Sequence, residues 1–140
     1  MTISVITIRL HEKAHRLGDE YYHAMAALIR ENRDNRDHDT ISAHLDRVER
    51  AADAYLHALK VFRKHLGTLR SNHEIAKQVE LTDTFIELIN KNKGVYDSAR
   101  VLEDVRHNAE QTNEEGLRNF EAGRSATDRR ITPGVSKARA

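Results

Sequence analysis

Residues Ile41, Leu45, Val48, Ala52, Tyr55, Leu59, Phe62, Leu66 and Leu69 follow one another at alternating steps of four and three. Apolar side chains at that spacing share one stripe of an α-helix, and a strand cannot place them on one face. Nine positions without a miss make this a long helix packed along one seam. The remaining punctuation agrees. The only proline of the 140 residues is Pro133, and there are just six glycines, too few turn signals for a many-stranded β protein.

The same spacing recurs on both sides. Leu10, Ala14, Leu17, Tyr21, Ala24 and Leu28 predict an earlier helix, which Gly18 interrupts at a tolerable cost. The β-branched Ile3–Ile8 stretch is read as the start of that helix, with a short strand as the rival. Asn32 to Asp39 holds no apolar side chain and reads as a loop, with Asp39 or Thr40 capping the second helix. Ser71-Asn72-His73-Glu74 has the form of a capping box and predicts a third helix. Its seam is Ile75, Val79, Thr82, Ile86 and Ile89, widened by Phe85 and Leu88. Lys91-Asn92-Lys93-Gly94 reads as that helix's C-terminus. A fourth helix is expected from about Asp97 to Glu121, with Ala99, Leu102, Val105, Ala109, Leu117 and Phe120 inward. From Gly123 the sequence has no period, and the expectation there is a disordered basic tail. The predicted fold is therefore all-α: an antiparallel four-helix bundle over residues 1–122, with a flexible tail over 123–140; a helical hairpin that completes its core by dimerising is the rival, because seams this regular suit coiled coils.

Composition removes several function classes. There is no cysteine, which excludes disulfides, thiolate metal sites and cysteine nucleophiles. There is no tryptophan, and aromatics are 5% of the chain, so a stacking platform for bases is not expected. The run Ile3–Leu10 is too short and polar for a secretory core, and no stretch reaches the length of a membrane span. The expectation is a cytoplasmic protein without a membrane partner.

The net charge of +1 conceals a sorting of charge along the chain. Ala54 to His73 contains no acid but holds Lys60, Arg63, Lys64 and Arg70. The tail adds Arg124, Arg129 and Arg130, whereas Asp97 to Glu121 is rich in acids. These seven cations are the expected contact residues, for a protein partner, for another copy, or for phosphates of a nucleic acid. The competing reading is that basic and acidic helices neutralise one another.

Two motifs bear on chemistry. His11-Glu12-Lys13-Ala14-His15 places two histidines on one helical face, the arrangement of zinc-dependent proteases. Gly18 also fits the extended pattern, but the third ligand's position is Tyr21. The pair is read as surface histidines, so no metal and no cofactor is expected. Around His57 the sequence reads His57-Ala58-Leu59-Lys60, with Leu66-Gly67 closing the helix. This resembles the histidine phosphotransfer domain, a helical bundle with its phosphoacceptor outside a central helix. The resemblance implies His57 as phosphoacceptor and Lys60, one turn on, as its counter-charge. Val61 stands where that family has glycine, which would crowd the approach of a phosphodonor. Taken together, the sequence is read as a non-enzymatic helical interaction or assembly module. Phosphotransfer through His57 and accessory nucleic-acid binding are the alternatives.

Overall fold

The computed structural model describes residues 4–34 and 37–130, with side chains described through residue 121. Three α-helices and no strand occur among them: α1 (Val5–Asp34), α2 (His38–Thr68) and α3 (His73–Arg130). The chain divides into two compact units, Met1–Glu103 and Asp104–Ala140. The sequence reading set its boundary after residue 122.

The first unit is built on the α2 seam. Ile41, Leu45, Val48, Ala52, Tyr55, Leu59, Phe62 and Leu66 are all buried, as their spacing requires. α1 packs antiparallel to α2 through small residues: Ala14, Gly18, Ala24 and Ala27 are buried. At Gly18 the Tyr55 ring lies so close that an added Cβ would come within 2.9 Å of Cζ. Gly18 is therefore where the two helices make their close approach, not merely a tolerated interruption.

α3 returns antiparallel to α2 along a ladder of ion pairs. Arg63 Nε lies 2.9 Å from Asp83, Lys93 pairs with Asp53, and Arg100 reaches both Asp46 (2.7 Å) and Glu49 (3.2 Å). These pairs are partly solvated, so each contributes at most about 1 kcal/mol, and their main effect is to fix register. Between α1 and α3 the register is set by a buried polar knot. The Tyr21 and Tyr96 hydroxyls are 2.6 Å apart, and Asn92 Nδ2 donates to Tyr21 at 3.1 Å. Tyr96 also donates to the Met25 sulfur at 3.0 Å. Burial, then the hydrogen bond to Tyr21, holds the Tyr96 phenol far above its ordinary pKa.

The expected fourth helix is not separate. Gly94 lies inside α3 with no atom within 4 Å of where its Cβ would be, and no turn occurs there. A lone glycine costs about 1 kcal/mol in a helix interior, and no proline adds to it. The burial of Ile89 on one side and Tyr96 on the other outweighs that cost. α3 also continues through residues 123–130 of the expected tail, where extending a formed helix adds one hydrogen bond per residue fixed. The rest of that segment, 131–140, lies outside the described residues.

Helix starts differ by a residue or two from the sequence reading. Ser4 Oγ accepts from the Thr7 amide at 3.1 Å, so the β-branched start is helical. Asp37, not Asp39 or Thr40, caps α2 by accepting from Thr40 N at 3.0 Å. Asn72, not Ser71, caps α3 by accepting from Ile75 N at 2.9 Å.

Candidate interaction groove and the exposed basic face

α1 and α3 are parallel neighbours, each packed against α2, and they part at their N-terminal ends. There the floor is α2 itself. A cavity of about 230 Å³ is lined by His15 and Tyr22 of α1, Tyr55 and Leu59 of α2, and Leu81 and Phe85 of α3. A second, of about 440 Å³, is lined by Ile8, Glu12, Leu66, Leu69, Arg70 and Ile75. His11, Phe62 and Gln78 line both, so the two form one groove with mostly apolar walls. His11 stands on its border with the ring edge-on to Phe62, centroids 5.6 Å apart.

Apolar residues continue along both rims at seven-residue steps. On α1 these are Ile8, Tyr22 and Ile29, with His15 in the same row; on α3 they are Leu81, Leu88, Val95 and Leu102. All seven apolar members are at least 40% exposed. A bundle of three helices thus leaves an apolar slot opposite α2, where a fourth helix would pack. Two of these residues, Leu88 and Leu102, were expected inside. Leu102 is 68% exposed because uninterrupted α3 carries its buried row through Thr82, Ile89, Tyr96 and Glu103, one residue out of step with it. Glu103 itself is buried, 3.2 Å from His38 Nδ1.

The second unit begins at Asp104. Val105, Leu117 and Phe120, also expected inside, are about three-fifths exposed. Arg106 pairs with Glu110 one turn on, at 2.6 Å.

The cations singled out in the sequence lie elsewhere. Lys60, Lys64 and Arg70 are exposed, as is His57 one turn before Lys60, while Arg63 is half-buried and engaged by Asp83. Only Arg70 also borders the groove. Arg124, Arg129 and Arg130 fall within α3, but their side chains lie outside those described. His11 and His15 sit on one face with ring centroids 6.5 Å apart, and His15 Nδ1 is 3.5 Å from Asp19. Among the described residues no group of three potential ligands converges on a metal position. No helix in the described residues is long and apolar enough to cross a membrane. Comparison with protein families, with curated proteins and with solved structures finds no match for this chain.

Proposed function

We propose that this protein is a non-enzymatic helical interaction module that receives an amphipathic helix in the groove between α1 and α3. The observation that carries this reading is the groove itself, floored by Tyr55, Leu59, Phe62 and Leu66 and flanked by exposed apolar rows. Side chains of this kind anchor helix-in-groove contacts, because a partner's apolar face removes them from water without leaving a backbone group unpaired. In the ladder of ion pairs along α2 and α3, only Arg63–Asp83 uses a cation of the acid-free stretch, and no rung uses an acid of Asp97–Glu121. These pairs leave Arg70, at the border of the groove, to orient a partner by its field.

The reading is tested by placing a photo-crosslinking side chain at Tyr22 on the groove wall and, as control, at Lys64 on the outer face of α2. The expected result is a discrete cross-linked protein species from position 22 and none from position 64. Absence of any species from position 22, in cells and in concentrated protein, overturns it.

A second reading, histidine phosphotransfer, draws on one observation: His57 and Lys60 are both exposed and one turn apart. Val61, 38% exposed beside them, occupies the place of the family's glycine. Incubation with a phosphorylated response-regulator domain tests it. Transfer that His57→Gln abolishes is the expected result, and no transfer from any cognate regulator rejects it.

A further inference from the structure

Given the groove reading above, on which this inference rests, we infer that the helix the groove receives is the Asp104–Arg130 segment of α3 from a second copy of this chain, with the exchange reciprocal. Each copy then supplies three helices to one four-helix bundle and the fourth helix to the other.

Three features favour this occupant. The first is length. The row from Glu74 at the groove's end to Leu102 spans about 40 Å at about 1.5 Å per helical residue, and Asp104–Arg130 spans about 40 Å as well. The second is complementary chemistry. The segment exposes Val105, Leu117 and Phe120, each about three-fifths open to solvent. It also exposes Glu114, Glu115 and Glu121 without an ion pair among the described residues. On α3, Lys77 lies one turn before Leu81 and Lys91 one turn after Leu88; both are exposed and also without an ion pair there. The segment also exposes Arg118 beside Leu117, and Glu12, Asp19 and Glu74 line the groove with Arg70, so charges of both signs can pair across the slot.

The third is area. A helix about 10 Å wide laid along about 40 Å covers about 400 Å² of the groove and the exposed rows that continue it, and hides as much of itself. Two reciprocal slots then bury about 1,600 Å² in total, the standard size of a stable protein interface. One slot alone, at about 800 Å², falls in the range of a weak contact. Reciprocity is what makes a second copy a better occupant than an unrelated helix. It also yields a closed twofold assembly, since the same two surfaces meet twice.

The test uses the full-length chain in light scattering and sedimentation over a range of concentrations. The expected result is a dimer whose dissociation constant rises at least about tenfold in the double variant Leu117→Asp/Phe120→Asp. Both side chains lie outside the buried core, so helicity and the unfolding of the first unit should be unchanged. Leu81→Asp, on the groove wall, should weaken the dimer to a similar degree. Because the chain has no cysteine, mixing a Leu81→Cys copy with a Phe120→Cys copy gives an unambiguous readout, a mixed disulfide across the slot. A wild-type chain that stays monomeric at about 100 µM overturns the inference, as does a dimer indifferent to Leu117→Asp/Phe120→Asp. In either case a cross-linked species from position 22 containing a different protein's helix would leave the groove reading standing with another occupant. No species at all would reject both.

Discussion

At the scale of single residues, two glycines in similar helical settings have opposite roles. Gly18 lies under the Tyr55 ring, where a Cβ would meet Cζ at 2.9 Å and Oη at 3.1 Å. Gly94 has nothing within 4 Å. Alanine gains about 1 kcal/mol in helix propensity at either position. At Gly18 that gain is opposed by displacement of a buried ring, and overpacking of this kind costs about 1–3 kcal/mol. Urea unfolding should show Gly94→Ala stabilised by about 1 kcal/mol and Gly18→Ala destabilised by about 1 kcal/mol. Equal shifts of the same sign would refute the assigned close approach. The tyrosines supply a pH test. Burial raises both Tyr55 and Tyr96 above the ordinary value of 10.0, and Tyr96 is raised further by its hydrogen bond to Tyr21. In the unfolded chain these phenols ionise near pH 10, while in the folded chain they stay protonated. Their contribution is therefore complete below about pH 10 and lost as pH rises through the folded values. Tyr96→Phe should cost about 1 kcal/mol at neutral pH, from the lost hydroxyl pairing, and should flatten the alkaline loss of stability. An unchanged slope between about pH 9 and pH 11 would show that Tyr96 is not the group responsible.

At the scale of elements, helix identity was legible and helix boundaries were not. All eight helical positions of the α2 seam are buried, because a side-chain period reports directly on which face meets the core. Caps depend instead on which backbone amides a side chain reaches. Ser71, Asn72, Asp37 and Asp39 are all chemically competent for that, so composition alone could not choose among them. The structure selects Asp37 and Asn72, each accepting from the amide three residues on. Asp37→Ala should lower stability by about 1 kcal/mol, whereas Asp39→Ala, which loses only a favourable charge in the first turn, should cost a few tenths. Thermal unfolding of the two variants checks this, and the reverse order would return the cap to Asp39. The misplaced break at Gly94 had the widest consequence. A glycine after Lys91-Asn92-Lys93 matches a helix end chemically, yet the row Ile75, Thr82, Ile89 continues without a change of step to Tyr96 and Glu103. That continuation was present in the sequence. It was obscured because its later members are a phenol and a carboxylate, whose burial depends on Tyr21 and His38 arriving from other helices. Starting a new helix after Gly94 put Leu102 and Val105 inside, when the buried row runs through Glu103.

At the scale of the whole molecule, three helices in place of four change what the apolar residues are for. A self-contained four-helix bundle would have used Leu102, Val105, Leu117 and Phe120 as core. Here they are exposed, and among the described residues of the first unit no helix covers the groove over α2. The two deficits imply uneven local stability, which hydrogen exchange can resolve. In the first unit, Val48, Ala52, Leu59 and Leu66 are buried, so their amides open only with loss of packing. In residues 104–121 only Arg106 and His107 are even half-buried, and Arg106 pairs with Glu110 one turn on. Such a pair contributes about 0.5 kcal/mol or less, and a helix held chiefly by its own backbone bonds is marginal in water. In dilute protein, amides of 104–121 should therefore exchange orders of magnitude faster than those of 45–66. With rising concentration their protection should increase, because a dimer stabilises by mass action whatever it orders. Protection at 45–66 should change far less. In Leu117→Asp/Phe120→Asp the fast exchange of 104–121 should persist at every concentration while the first unit exchanges as before. Slow exchange of 104–121 in dilute protein would mean that the segment is held within its own chain, and its exposed apolar residues would then not depend on a second copy for cover.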